Sequence, residues 1–93
     1  MYKYEATFIL HPNAELCEKG TTALKNEFTT NGVKILREEN KGELDLSYPI
    51  RKNKRGRYFF FELEAPAQSL TAIEKALKIK SEILKYLFIR VKA

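Results

Sequence analysis

The sequence predicts an α+β fold: a four-stranded antiparallel sheet with two helices packed on one of its faces. Three observations predict it. The apolar period runs from two to about 3.6, back to two twice, then to 3.6 and two again, which gives the order β-α-β-β-α-β. Turn-forming groups, His11-Pro12-Asn13, Asn31-Gly32 and Pro66, stand between the periodic segments. The 93 residues, 44% apolar and 31% charged, suit one domain with one core. With no internal repeat, low-complexity tract or linker, residues 1–93 are expected to form a single domain.

Residues 2–10 read as the first strand. Tyr4, Ala6, Phe8 and Leu10 share one face, and Lys3, Glu5, Thr7 and Ile9 the other. Asn13 is an N-cap candidate, with Glu15 in the first turn to complement the helix dipole. Leu16, Gly20, Leu24 and Phe28 then recur at helical spacing, and Asn31-Gly32 stops the helix. Val33 to Ile50 reads as a long extended region, with Gly42 as a bulge or bend within a long strand, or as a turn. Pro49 lacks an N–H for the ladder, so this strand belongs at a sheet edge. Arg51 to Arg57 reads as a basic loop. Tyr58 to Ala65 is the strongest strand, with Phe59, Phe61, Leu63 and Ala65 on one face. Leu70, Ile73, Ala76 and Leu77 form a helical stripe on residues 67–79. Tyr86 to Lys92 closes the chain as a strand, with Leu87, Ile89 and Val91 opposite Phe88, Arg90 and Lys92. This order is the split β-α-β, ferredoxin-like arrangement. Its strand order is 2-3-1-4, and one sheet face stays uncovered.

The formal charge is +5, and it is unevenly spread. Residues 1–50 carry 6 basic and 8 acidic side chains, whereas residues 51–93 carry 11 and 4. The densest run is Arg51-Lys52-Asn53-Lys54-Arg55-Gly56-Arg57. Such a balance points to an anionic partner, and a cationic segment that neutralises phosphates binds with salt-dependent affinity. One Cys gives no internal disulfide and one His no metal cluster, so neither a metal nor a cofactor is expected. No apolar stretch approaches the ~20 residues of a membrane span, and MYKYEATFIL lacks the layout of a signal peptide.

On this reading the open face displays Lys3, Glu5, Thr7 and Ile9 from strand 1. Strand 3 adds Tyr58, Phe60 and Glu62, and strand 4 adds Phe88, Arg90 and Lys92. Aromatic rings can stack on unpaired bases while Lys and Arg meet phosphates.

The run Gly42-Glu43-Leu44-Asp45-Leu46-Ser47-Tyr48-Pro49-Ile50-Arg51 resembles the signature of the bacterial small-subunit ribosomal protein six family. Tyr4-Glu5 with Phe8-Ile9-Leu10 and Pro12, the Tyr58-to-Pro66 segment, and Leu77-Lys78-Ile79 through Arg90-Val91 extend the resemblance over nearly the whole chain. The family's fold is the ferredoxin-like one. The resemblance implies a structural constituent of the 30S subunit, located in the cytoplasm. It further implies binding to the central domain of 16S ribosomal RNA together with the small-subunit protein numbered eighteen. It implies no enzyme activity, no cofactor, no membrane and no small-molecule substrate. The family commonly carries Arg or Lys where this chain has Glu43, Leu44 and Asp45, and an N-terminal Arg pair where it has Tyr2-Lys3.

The expected RNA-binding residues are Lys3, Phe88, Arg90 and Lys92, followed by Arg51, Lys52, Lys54, Arg55 and Arg57 in the basic loop. The expected protein-partner surface is the strand-2 edge, where unpaired backbone groups can accept another segment. It comprises Lys41, Glu43, Asp45 and Ser47, with Tyr58 and Phe60 behind. Acidic Glu43 and Asp45 suit a basic protein better than RNA. The isolated chain is expected to be a monomer.

Two other functions share this topology. A recognition-motif-type reader of single-stranded RNA has Lys/Arg-Gly-Phe/Tyr-Gly/Ala-Phe-Val-x-Phe/Tyr on strand 3. Arg55-Gly56-Arg57-Tyr58-Phe59-Phe60-Phe61-Glu62 matches at Arg55, Gly56 and Phe59, but fails at Arg57, Tyr58 and Glu62. An acylphosphatase-like enzyme needs an Arg among N–H groups between strand 1 and helix 1; His11-Pro12-Asn13-Ala14-Glu15 has none. His11 reads as a strand-end surface residue, Cys17 as a small hydrophobe, and Tyr48 as a packing residue with its hydroxyl at the rim.

Overall fold

The computed structural model describes residues 1–91. The predicted period changes become six elements: β1 (Tyr2–Leu10), α1 (Ala14–Thr30), β2 (Lys34–Ile50), β3 (Asn53–Ala65), α2 (Ala67–Lys78) and β4 (Ile83–Arg90). The strands form one sheet in the order β2-β3-β1-β4, with each neighbouring pair antiparallel. This is the expected ferredoxin-like arrangement, with β1 and β3 in the centre.

Local chemistry sets the helix ends. Asn13 Oδ1 accepts from the backbone N–H groups of Glu15 (3.0 Å) and Leu16 (3.1 Å) and so satisfies two orphan donors of α1. At the other end the Asn31 N–H donates to Glu27 O, and Gly32 turns the chain out. Cys17, Gly20, Leu24 and Phe28 form the buried stripe of α1. Ile73 and Leu77 are buried on α2. The Ser69 hydroxyl, also buried, donates to Asn31 O at 2.7 Å and ties the start of α2 to the end of α1.

Both helices cover the face formed by Tyr4, Ala6, Phe8 and Leu10 with Phe59, Phe61, Leu63 and Ala65. The centre is aromatic. Phe8 meets Phe61 and Phe88 edge-on at 5.6 and 5.5 Å between centroids, and Phe28 meets Phe61 at 5.5 Å. Each such pair adds about 0.5–1.5 kcal/mol beyond area burial.

Two segments differ from the sequence reading. The basic run is not a loop. Arg51 and Lys52, with φ of 49° and 67°, form the two-residue turn of a β2–β3 hairpin, and Asn53 already pairs with Ile50. Strand β4 is also displaced, beginning at Ile83 instead of Tyr86. Its register with β1 shifts between Ile9 and Leu10, so Leu10 pairs with Ile83 and Ile9 with Lys85. Directly paired residues share a face, and Phe88 pairs with Ala6 and Arg90 with Tyr4. Phe88 and Arg90 therefore lie on the helix-covered face, and Leu87 and Ile89 on the open one. Lys92 lies outside the described residues.

The hairpin outruns its neighbours. Strand β1 ends at Leu10 opposite Arg57, so the paired residues of β2 and β3 beyond that point form an arm. Gly42 (φ 83°) lies at a register shift where β2 enters this arm, a conformation that disfavours side chains. Gly56 leaves room for Ile9: a Cβ there would overlap Ile9 Cγ2 and touch Leu46 Cδ2. That vacancy lets the arm lean across the end of β1 toward β4.

Candidate nucleic-acid interface

The arm carries three exposed cations at its tip: Arg51, Lys52 and Lys54. None of them has an ion-pair partner among the described residues. The tip is held by contacts to distant parts of the chain. Arg51 Nη1 donates to Lys80 O at 3.2 Å, and Lys85 Nζ donates to the Tyr48 hydroxyl at 3.2 Å. The Lys85 ammonium also lies 5.8 Å from the Tyr48 ring centroid. Tyr48 thus faces β4 across the sheet end, but it is 59% exposed and so is not the packing residue expected.

The other two cations of the run are engaged by groups of the same chain, Arg55 while still exposed. Arg55 Nε pairs with Glu43 at 3.2 Å and Asp45 at 3.5 Å. Arg57 is half-buried, and its Nε donates to Pro12 O at 3.1 Å. Of the loop cations expected to meet RNA, the structure brings Arg51, Lys52 and Lys54 together in solvent and turns Arg55 and Arg57 to internal work.

The remaining expected RNA residues do not converge. Lys3 is on the open face near the start of β1, about 23 Å along the strand from Leu10 at ~3.3 Å per residue. Arg90 is on the opposite face, with its guanidinium carbon 3.6 Å from the Tyr2 ring centroid. Phe88 packs on Phe8 and Tyr86 and is not a free stacking ring.

The expected partner surface is divided as well. Lys41 and Phe60 meet at the β2 edge, the ammonium 5.9 Å from the ring centroid, and Tyr58 follows Phe60 on the same face. Glu39 holds Lys41 at 2.7 Å and also Arg37, which reaches Glu62 at 3.4 Å. These exposed pairs contribute little to stability, with a median of about 0–1 kcal/mol each. Glu43 and Asp45 pair with Arg57 and Arg55 in register, so they share the opposite face, where Arg55 compensates their charge.

 Ser47 is exposed on the arm itself.

The sequence reading missed part of the surface. Leu87 and Ile89 are each 55% exposed on the open face, beside Thr7 and Glu5. The Lys80 carbonyl and the Lys85 ammonium stand beside the arm. The signal that marks the true face of β4 is the pair of large rings at Tyr86 and Phe88. The aliphatic triplet Leu87, Ile89 and Val91 looks like a core stripe but is not one.

Nothing in the site resembles a catalytic centre. His11 Nδ1 accepts from the Asn13 N–H at 3.0 Å. Burial raises the Cys17 thiol above its ordinary value, against smaller lowering effects from Arg57 and a Thr21 hydrogen bond. Among the described residues, no group of three or more His, Cys, Asp or Glu is placed to hold a metal ion, and no helix is long and apolar enough to cross a membrane.

The fold, the cationic arm and the signature at residues 42–51 agree with a family comparison: the family model for ribosomal protein S6 matches residues 3–90. The chain belongs to the ribosomal protein S6 family. It is 32% identical over 91 residues to the small ribosomal subunit protein bS6 of Treponema pallidum, covering 98% of both chains. It is 34% identical over 91 residues to that of Treponema denticola, again covering 98% of both. The crystal structure of the 30S ribosomal protein S6 of Thermotoga maritima superposes with a TM-score of 0.86 at 26% identity, covering 97% of this chain and 87% of that one. As a member of the S6 family, the chain is a structural, RNA-associated constituent of the small ribosomal subunit in the cytoplasm and not an enzyme.

Proposed function

We propose that the protein binds the central domain of 16S ribosomal RNA jointly with the small-subunit protein numbered eighteen. The observation that carries the RNA half is the arm tip, where Arg51, Lys52 and Lys54 are exposed without carboxylate partners among the described residues. Cations left free of internal pairs release counterions when they meet phosphates, and that release drives association. Lys3 and Arg90 are both exposed at the far end of β1 and β4, but on opposite faces and away from the arm tip, so they add separate positive charges.

The open face supports the protein half. Leu87, Ile89 and Leu44 are exposed there, with half-buried Tyr58 and Phe60 between them and charged Lys41, Glu39 and Glu62 around them. An apolar centre with a charged rim fits a protein partner. Reading of successive unpaired bases needs several free rings. Phe88 packs half-buried against the core on the helix-covered face, and Tyr58 lines the hollow beneath the arm with Ile9, Leu46 and Tyr48, so the recognition-motif alternative lacks its platform.

The test is binding of a central-domain 16S RNA fragment, with and without the partner, at fixed salt. The double variant Lys52→Glu/Lys54→Glu should lose at least tenfold in affinity for the RNA while still binding the partner protein. Full RNA affinity in that variant refutes the arm as the RNA contact. Equal affinity for random single-stranded RNA without the partner would favour the alternative.

A further inference from the structure

We infer that the arm tip and the α2–β4 connection form one composite site for the RNA sugar-phosphate backbone, to which Lys80 and Lys85 contribute together with Arg51 and Lys52. This rests on the RNA-binding reading above and adds a second, distant segment of chain to it.

The juxtaposition is built by two contacts. Arg51 Nη1 donates to the carbonyl of Lys80, 29 positions on, and Lys85 Nζ donates to the Tyr48 hydroxyl, 37 positions back. These contacts bring the Arg51 guanidinium to the backbone of Lys80 and the Lys85 ammonium to the arm, so the two segments that carry these cations lie side by side. Their own chemistry leaves them available. A carbonyl and a phenol are neutral acceptors, so Arg51 and Lys85 are positioned without being neutralised. Neither they nor Lys52, Lys54, Lys78 and Lys80 form an ion pair among the described residues.

The distribution of pairing elsewhere sharpens this. Lys25, Arg37, Lys41 and Arg55 all have carboxylate partners. Glu82 is the one acid between Glu74 and the last described residue. It is half-buried, with its Cγ against Gly20 and its carboxylate near the Ser81 hydroxyl at 3.5 Å. The acids of the arm, Glu43 and Asp45, are held by Arg55. Like charges gathered without counter-charges repel one another, and a polyanion laid across them relieves that repulsion. Arg51 retains further N–H donors beyond the one given to Lys80, and guanidinium and ammonium groups both suit phosphate oxygens. A continuous strand of RNA backbone, with a charge at every nucleotide, suits two cation groups fixed side by side better than a single small anion does.

The experiment is a salt titration of the affinity for the central-domain RNA fragment in the presence of the partner protein. Wild type is compared with Lys80→Gln/Lys85→Gln, with Lys80→Arg/Lys85→Arg, and with Lys19→Gln on exposed α1 as the control. Loss of two phosphate contacts should make the slope of log affinity against log salt shallower by about 1.4–1.8. The Arg double variant should restore the wild-type slope, and the control should leave it unchanged. A Gln double variant with the slope of the control, beside a wild type that binds, overturns the composite site and leaves RNA binding through the arm intact. A wild type that shows no salt-dependent RNA binding with the partner present overturns the RNA reading itself.

Discussion

Gly56 offers the sharpest test of how the arm is seated. A methyl group built there overlaps Ile9 Cγ2, lies 3.5 Å from Leu46 Cδ2 and 3.4 Å from Leu10 O. Ile9 is buried and β-branched, so its methyl sits close to the backbone and cannot swing away cheaply. Overpacking of this kind costs about 1–3 kcal/mol. Exchanging Gly for Ala inside a strand returns roughly 0.5–1 kcal/mol of backbone entropy. Gly56→Ala should therefore destabilise the protein by about 1–2 kcal/mol. In an Ile9→Ala background the obstructing methyl is gone, and the same change should stabilise by about 0.5–1 kcal/mol. Ile9→Ala alone is a large-to-small core change costing about 2–5 kcal/mol. Urea titrations of the four proteins, followed by far-UV circular dichroism with m held common, give the coupling directly. An equal cost of Gly56→Ala in both backgrounds refutes the account of Gly56 as clearance for Ile9.

Four further outcomes are expected. Phe88→Ala should lose about 2–3 kcal/mol, somewhat below a fully buried ring, whereas Ile89→Ala should stay within about 0.5 kcal/mol; urea midpoints that reverse this order would reverse the faces of β4. Lys52→Gly should raise stability by about 1 kcal/mol, because it removes a left-handed side-chain penalty of about 1–2 kcal/mol from the hairpin turn; thermal melts read the gain. Asn13→Ala should cost about 0.5–2 kcal/mol by leaving the Glu15 and Leu16 N–H groups without their cap, and Asn13→Ser should recover most of it. For Cys17, burial raises the folded-state thiol above the ordinary 9.0, so the unfolded chain loses its proton first. That contribution is full below pH 9.0 and disappears as pH rises through the folded value. Cys17→Ala should thus flatten the alkaline fall of the urea midpoint.

The sequence made the fold legible because β1, α1 and β3 each obey one period with distinct ends. Phe59, Phe61, Leu63 and Ala65 alternate without exception, and Asn13 and Asn31-Gly32 mark the limits of α1 as their capping chemistry requires. The edge position of β2 was equally readable from Pro49. The site was less legible, and the reason lies in β4. Both of its faces are apolar, one with rings and the other with aliphatic chains, so alternation alone could not choose between them. The register shift at Ile9 and Leu10 then changes which residues face β1, and no local signal announces it. The hairpin turn was hidden for another reason. Arg51-Lys52 lacks the Asn-Gly or Asp-Gly chemistry that ordinarily marks positive φ at both positions. Contacts between distant segments, such as Tyr48 with Lys85, depend on the lean of the arm and have no signature in either segment.

The central place of β1 also bears on how the chain acquires its structure during synthesis. β1 leaves the ribosome first, yet its two neighbours are β3 and β4, so Tyr4 waits for Leu63 on one side and Arg90 on the other. At roughly 5–20 residues per second, the delay between Tyr4 and Arg90 amounts to about 4–17 s. Through that interval Phe8 has no completed sheet to enter. The β2–β3 hairpin closes over only two residues, and Phe59 and Phe61 can meet Phe8 and Ala6 of β1 once β3 is made, but the β4 side of β1 stays open. Nascent chains are therefore most exposed to aggregation and to chaperone capture just before β4 appears, and any pause in translation ahead of Ile83 should prolong that exposure.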